Sequence, residues 1–237
     1  MVTIYTYLER ELSKGNCMKK ILSPMNVLLS LVLALFIISA AVVITLNFKT
    51  LYYLDIDFLD IPTYSGFSRE VIVENYDELI RYNSVFGPKT LNFPSLPMSE
   101  SGRIHFEEVK VVFNFFEITF FATLLLSAAG IMLQSRKKNT GYLLLAGILT
   151  VAIPAVLGVL IALNWQRVFV LFHKIVFNND YWIFDPMTDP VIMMLPDAFF
   201  MHCAILIIAL VILGSVLCLL LYGTLRKKRG KHLRNSK

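Results

Sequence analysis

Four long apolar stretches constrain this chain more than any other feature of its sequence. They lie at residues 28–48, 111–134, 142–164 and 200–223. Each is near the length of about 20 residues that a helix needs to cross a bilayer, and the only charged side chain in them is Glu117. Charged residues make up 16% of the whole chain, against roughly a quarter in soluble domains. The sequence therefore predicts an all-α membrane protein with four transmembrane helices.

The segments between these stretches define the predicted organisation. We assign the transmembrane helices to residues 24–48, 111–134, 142–164 and 200–223. On one side of the membrane we expect an N-terminal segment, a short loop and a tail, at residues 1–23, 135–141 and 224–237. On the other side we expect two longer segments, at residues 49–110 and 165–199, packed over the outer end of the helix bundle.

The distribution of Lys and Arg sets the expected orientation, because these residues stay on the cytoplasmic side of spanning helices. Of the 22 Lys and Arg residues, four lie in 1–23, three in 135–141 and seven in 224–237. The two longer segments hold the other eight, with 14 of the 17 acidic residues. We therefore expect both termini in the cytoplasm and the longer segments outside. The basic tail is interpreted as a topology signal on anionic lipid, in preference to a patch that binds nucleic acid.

The N-terminal region carries two expectations. The first apolar stretch is too long for a signal peptide, and no small-residue cleavage site follows it, so we predict that it is retained. Residues 1–17 resemble neither a domain nor a targeting segment, whereas Met18 stands directly before the basic pair that precedes the first span. We expect residues 1–17 to be an alternative or misassigned N-terminus.

The first outer segment contains one clear helix signal. Ser68 is suited to be an N-cap and Glu70 to be the acidic residue of a first turn. Apolar residues then recur at helical spacing, namely Ile72, Tyr76, Leu79 and Ile80. The stretch before it, residues 52–70, has an alternating and turn-like character. The second outer segment is too short for an independent domain, so we expect it to pack on the spanning helices and the first segment.

Ionisable side chains gather near the expected outer membrane surface. His105 precedes the second span and His173 follows the third, so both are expected at one depth. Glu108 shares a helical face with His105, where a carboxylate can fix the imidazole tautomer. The stretch after His173 adds four polar residues, Asn178, Asn179, Asp180 and Asp185. Singly, each residue fits a surface role; together they indicate a site.

Other residues near the membrane have simpler interpretations. The aromatic residues around His173, Trp182 among them, mostly fit a belt at the headgroup level. His202, one turn into the last span, is favoured as a structural residue bonded to a neighbouring helix. Glu117 is a functional candidate by default, because acidic side chains within a span are expensive.

Motifs for the common hydrolytic chemistries are absent from the sequence. It contains no His-Glu-x-x-His element and no paired ligand spacing, so no metal site is predicted. It contains no Gly-x-Ser-x-Gly element. Cys17, Cys203 and Cys218 provide neither an outer nucleophile nor an external disulfide. The chain thus offers acid and base groups, no recognisable nucleophile and no expected cofactor, which suits a substrate that carries its own nucleophile.

Three elements of the sequence resemble one family. "RIHFEEVK" is similar to the H-x-x-D-V element of the bacterial lipoprotein intramolecular transacylases (Lit), and "FHKIVFNNDYWIFDPMTDPVIMMLPDAFF" to their long second element. "NYDELIRY" resembles the family's first outer helix. The resemblance extends from Met18 over nearly the whole chain and includes the four-span layout. Glu108 stands where the family usually has Asp, a departure in geometry and not in chemistry.

The resemblance implies a substrate and a reaction. The substrate is a diacylglyceryl-modified bacterial lipoprotein in the membrane lipid. The acyl chain at its second glycerol position moves to the α-amino group of its own N-terminal cysteine, which gives the lyso-form. The family's two functional histidines correspond to His105 and His173. The expected supporting residues are Glu108, Asn178, Asn179, Asp180 and Asp185.

Two interpretations from other classes stay open at this point. The chain fits a non-enzymatic membrane protein, such as a sensor subunit or an assembly factor, in which both histidines are dispensable. It also fits a small membrane hydrolase that releases free fatty acid. The sequence does not specify which histidine is the base, which group stabilises the oxyanion, which lipoproteins are used or the oligomeric state.

Overall fold

The computed structural model describes residues 18–235, so the expectation for residues 1–17 lies outside the described residues. Four helices are long and apolar enough to cross a membrane: α1 (Pro24–Asn47), α5 (Glu100–Arg136), α6 (Gly141–Leu163) and α8 (Asp197–Asn235). The segment before α5 holds α2 (Lys49–Phe58), α3 (Ile61–Ser65) and α4 (Arg69–Asn83). The segment before α8 holds α7 (Trp165–Val176) and a 3₁₀ helix (Pro190–Met194). The described residues form no strand, and the prediction of an all-α membrane protein with four spanning helices is confirmed.

Two spanning helices extend well beyond the apolar stretches that predicted them. Helix α5 begins at Glu100, and α8 begins at Asp197. Both first residues are acidic, which favours a helix start because the exposed N–H groups there carry partial positive charge. The early start of α5 places His105 and Glu108 on one helix, a turn apart.

Residues 52–70 are largely helical, so the turn-like character predicted for them is wrong for most of the stretch. The buried side chains recur one helical turn apart, since Tyr52 and Ile56 are both completely buried. The left-handed backbone of Asp60 (φ 49°) separates α2 from α3, and that of Gly66 (φ 74°) ends α3 before α4 begins.

The helix predicted from Ser68 onward is confirmed. The Ser68 hydroxyl accepts a hydrogen bond from the Val71 N–H at 3.4 Å, as an N-cap does. All four apolar residues of the predicted stripe are buried: Ile72, Tyr76, Leu79 and Ile80. Helix α4 therefore forms as its sequence pattern requires, with one face in the protein interior.

The described chain forms two units. The bundle unit comprises residues up to Ile38, Ala122–Pro154 and residues from Val211 onward; the loop unit comprises Ser39–Phe121 and Ala155–Leu210.

The loop unit has a core of apolar side chains from all its segments. Tyr52 lies at its centre, stacked on Tyr76 with ring centroids 3.7 Å apart. Its hydroxyl donates a hydrogen bond to the Met194 carbonyl at 2.6 Å. This core joins α2, α4 and the 3₁₀ helix, and so connects the segment before α5 to the segment before α8.

The bundle unit is held by a buried amide and by close helix approach. Asn26 is fully buried, and its side-chain oxygen accepts hydrogen bonds from Gln134 at 3.1 Å and Asn139 at 2.9 Å. A Cβ atom at Gly147 would lie 2.7 Å from the side chain of Leu219. Small residues of this kind let spanning helices pack closely.

Candidate active site

Helices α5 and α7 bring two histidines together in the loop unit. His105 lies near the start of α5 and is 5% exposed. His173 lies in the last turn of α7. The centroids of their rings are 6.1 Å apart. The side chains that the sequence analysis paired are therefore neighbours, while their catalytic role stays a prediction.

Aromatic rings surround both imidazoles. Phe177 contacts both, with ring centroids 4.8 Å from His105 and 5.7 Å from His173. The other surrounding rings belong to Phe106, Phe169, Phe172, Phe184 and Trp182. An apolar shell of this kind disfavours a charged imidazole. These aromatic side chains thus line the site itself, in addition to any role at the headgroup level.

The tautomer of His173 follows from its hydrogen bond. Its Nδ1 lies 2.8 Å from the Phe169 carbonyl oxygen, and since a carbonyl can only accept, Nδ1 donates. In the neutral ring the free lone pair is then on Nε2. Burial lowers the pKa of His173 below its ordinary value of 6.5, against a smaller opposing effect of the Phe169 carbonyl. At neutral pH His173 therefore presents a basic Nε2.

Three buried polar atoms around the histidines have no hydrogen-bond partner within residues 18–235. They are His105 Nδ1, Glu108 Oε2 and Trp182 Nε1. Because buried polar groups are nearly always bonded, each of these atoms is open to a hydrogen bond from a ligand or from ordered water. Trp182 packs on His173, with ring centroids 4.8 Å apart. Sequence reasoning missed Trp182 as a site residue, since no periodicity or motif distinguishes it from the other aromatic residues nearby.

Glu108 does not orient His105 as the sequence analysis expected. Its Oε1 accepts a hydrogen bond from Asn179 Nδ2 at 2.8 Å, because the loop after α7 supplies a donor. The Nδ1 of His105 is left without a partner in the described chain. The pair of Glu108 and Asn179 therefore links α5 to the segment that carries His173.

The other expected supporting residues lie apart from the imidazoles. Asn178, Asp180 and Asp185 are all exposed. The Asp185 carboxylate accepts from the Met187 N–H at 2.9 Å and so stabilises a turn. Within the described chain none of the three forms a hydrogen bond with either histidine ring. Of the polar residues expected after His173, the structure brings Asn179 to the site.

The two ionisable residues of the spans have structural contacts. Glu117 is 5% exposed and accepts a hydrogen bond from the Val85 N–H at 2.6 Å. His202 Nδ1 lies 2.9 Å from both carboxylate oxygens of Asp55, which is 4% exposed. These contacts support the structural interpretation of His202 and give Glu117 a structural one.

The fold and these side chains define a class: a multi-pass, all-helical membrane protein in which a buried histidine, His105, and a half-buried one, His173, lie under an aromatic shell. Among the residues that the structure describes, no three His, Cys, Asp or Glu side chains are grouped so that they could hold a metal ion.

Comparison with known proteins identifies the family. The family model described as lipoprotein intramolecular transacylase Lit matches residues 27–200. A solved structure of the membrane integral lipoprotein intramolecular transacylase Lit from Bacillus cereus is 42% identical, with a TM-score of 0.85, over 87% of this chain and 96% of that chain. Comparison with curated proteins gives no match. The chain belongs to the lipoprotein intramolecular transacylase (Lit) family, as the sequence resemblance predicted.

Two further solved structures are variants of the Bacillus cereus protein in which one histidine is replaced by arginine or by alanine. Each is 39% identical to this chain with a TM-score of 0.80. They cover 97% and 93% of this chain, and 99% of their own chains. The protein is thus a membrane-integral member of a bacterial transacylase family.

Proposed function

We propose that the protein moves the sn-2 acyl chain of a diacylglyceryl lipoprotein to the α-amino group of that lipoprotein's own N-terminal cysteine, giving the lyso-form. The observation that carries the proposal is the pair of imidazoles 6.1 Å apart under an aromatic shell, in a chain of this family. Ester and amine belong to one molecule, so the enzyme has only to fold the headgroup into a reactive ring.

The reaction is an isomerisation of the substrate. The amine nitrogen bonds to the ester carbonyl carbon, the bond from that carbon to the sn-2 oxygen breaks, and the amine proton ends on that oxygen. An α-amine has a pKa of about 7.7–8.0 and becomes strongly acidic as it attacks. Nε2 of His173 takes the proton and returns it to the leaving oxygen, a contribution of about 10²–10⁴ in rate for such groups. No further reactant is required.

The other side chains of the site have distinct roles in the proposed reaction. His105 is close enough to His173 to face the same ester and amine, and it transfers a proton or donates to the carbonyl oxygen. The amide of Asn179 is engaged by Glu108, whereas the N–H of Trp182 is buried without a partner in the described chain. Trp182 is therefore the better candidate for stabilising the oxyanion. The aromatic shell reduces the access of water to the imidazoles, and water would otherwise hydrolyse the ester.

The site faces the outer surface of the bacterial cytoplasmic membrane in this proposal, and both termini are cytoplasmic. The support is the charge distribution, since Lys and Arg concentrate in 1–23, 135–141 and 224–237 and such residues stay inside. Membrane lipid then surrounds the acyl chains of the bound lipoprotein.

A synthetic lipopeptide with different acyl chains at the sn-1 and sn-2 positions tests the reaction. After incubation with the reconstituted protein, tandem mass spectrometry should find a product of unchanged mass with the sn-2 chain on the α-nitrogen. A 1:1 mixture of light and isotopically heavy lipopeptides should give no mixed product. A lipopeptide with an acetylated α-amine should not react, and serves as the control.

Each competing interpretation predicts a different spectrum. A hydrolase gives a lipopeptide that has lost one acyl chain, together with free fatty acid. A non-enzymatic membrane protein leaves the lipopeptide unchanged. Either result, or transfer of the sn-1 chain, would contradict the proposed function.

A further inference from the structure

The carboxylate of Glu108 is bonded on one side only. Oε1 accepts from Asn179 Nδ2 at 2.8 Å, while Oε2 is buried and has no partner in the described chain. A buried carboxylate oxygen without a donor is destabilising. Such an arrangement persists where the missing donor comes from ordered water or from a ligand.

The two basic side chains nearest to Glu108 along α5 are committed elsewhere. Lys110 donates to the backbone carbonyls of Tyr82 and Pro88, and Arg103 pairs with Glu100 and Glu107. Neither of these basic residues forms an ion pair with Glu108 in the described chain. The negative charge of the Glu108 carboxylate is therefore available to a bound cation.

The position of this oxygen fits one end of the proposed substrate. Glu108 follows His105 by one turn of α5, and its partner Asn179 lies in the segment that carries His173 and Trp182. A cation bound to Oε2 would lie beside the histidine pair. The cationic group of a lipoprotein before transfer is its α-ammonium, which is largely protonated at neutral pH because the amine pKa is about 7.7–8.0.

We propose that Glu108 binds the α-ammonium of the lipoprotein's N-terminal cysteine through Oε2, and so selects substrates with a free N-terminus. This inference rests on the proposed function. Asn179 holds the carboxylate in place. The bound ammonium releases one proton to bulk solvent before it attacks, and the proton that the amine sheds on attack passes through the histidine pair to the sn-2 oxygen. Once the nitrogen is acylated it carries no charge, so the product loses this contact, which favours its release.

Two unreactive substrate analogues test the inference without turnover. Both are lipopeptides with ether-linked chains in place of esters; one has a free α-amine, and the other has an acetylated α-amine. Wild-type protein in detergent micelles should bind the free-amine analogue about 10- to 100-fold more tightly, the usual range for a hydrogen bond to a charged group. A fluorescence competition assay measures both affinities.

Variants locate the source of that preference. In Glu108→Gln the ratio should fall to within about threefold, because the free-amine analogue loses affinity and the acetylated one does not. Glu108→Asp should keep part of the preference, because it keeps the charge. Glu107→Gln is the matched control: Glu107 pairs with Arg103 on the exposed side of α5, so the ratio should equal that of wild type.

Two results would overturn the inference. One is equal affinity of the two analogues for the wild-type protein, which needs no variant and therefore holds even if Glu108→Gln fails to fold. The other is an equal loss for both analogues in Glu108→Gln, which is the result of a structural role through Asn179. Both binding measurements are independent of catalysis. If the protein transfers the acyl chain but does not prefer the free-amine analogue, only the role of Glu108 is refuted. If it prefers the free-amine analogue but transfers no acyl chain, only the proposed reaction is refuted.

Discussion

Replacement of His202 by Asn tests whether this histidine contributes to the stability of the loop unit and not to the reaction. His202 donates from Nδ1 to the Asp55 carboxylate, 2.9 Å from each oxygen. Asp55 is 4% exposed, so the shorter Asn side chain leaves a buried carboxylate without its partner. The ring of His202 is not among those that contact His105 or His173. We therefore expect a loss of stability with little effect on the rate of acyl transfer.

The size of the loss follows from the burial of the two groups. Removal of one partner from a fully buried pair costs about 3–5 kcal/mol. The side chain of His202 is 23% exposed, so water reaches the pair and the cost is smaller, about 1–3 kcal/mol. For a chain of this length each kcal/mol lowers the Tm by roughly 2–4 °C. The variant should therefore melt about 2–12 °C below the wild type.

Thermal unfolding in detergent, followed by tryptophan fluorescence, measures the change in Tm. The rate of acyl transfer per folded molecule measures the effect on the reaction. The rate should stay within about threefold of wild type, the scale of an indirect effect and far below the 10²–10⁴ expected for an acid–base group. Asp55→Asn should destabilise similarly, and the double variant should lose less than the two single losses added together. A hundredfold lower rate at an unchanged Tm would refute this reasoning and assign His202 to the site.

Three further outcomes are expected. Glu117→Ala removes the acceptor of a backbone N–H and should lower the stability by about 1.5–3 kcal/mol, with a rate change below about tenfold; a normal Tm with no transfer would contradict this. At saturating substrate kcat should fall in two steps as the pH is lowered: first below the amine pKa of about 7.7–8.0, where the nucleophile becomes protonated, and again below pH 6.5, because burial lowers the pKa of His173 and protonation there removes the base; a single step through the amine pKa alone, with no second fall, would contradict the assignment of His173. Cysteines introduced at Thr90 and Met187 should react with an impermeant reagent on intact cells, and one at Lys138 should not; the reverse pattern would overturn the orientation.

The elements that the sequence predicted well are those encoded locally. The spanning helices follow from apolar length alone, since the bilayer fixes how many residues are needed. Helix α4 follows from its Ser68 cap and one apolar stripe. The neighbourhood of His105 and His173 was predicted from their expected depth beside adjacent spans, because the membrane restricts where their segments lie.

The features that the sequence did not predict depend on contacts far apart in the chain. Glu108 and Asn179 are separated by 71 positions. Local spacing therefore suggested only one partner for Glu108, namely His105 at i, i+3. The partnerless N–H of Trp182 is visible only when its surroundings are known. Helix α2 was obscured by acidic residues among its apolar ones, and one of these, Asp55, is buried through its contact with His202.

The central claim is that His105 and His173 act together on one ester and one amine. Single-turnover conversion of the diacylglyceryl lipopeptide by His105→Asn, by His173→Asn and by the double variant tests it most directly. Each single variant should be about 10²–10⁴-fold slower than wild type. The double variant should be little slower than the worse single one, because groups that act as a unit are not additive. Conversion by either single variant at the wild-type rate, or a double loss equal to the product of the two single losses, would contradict the account.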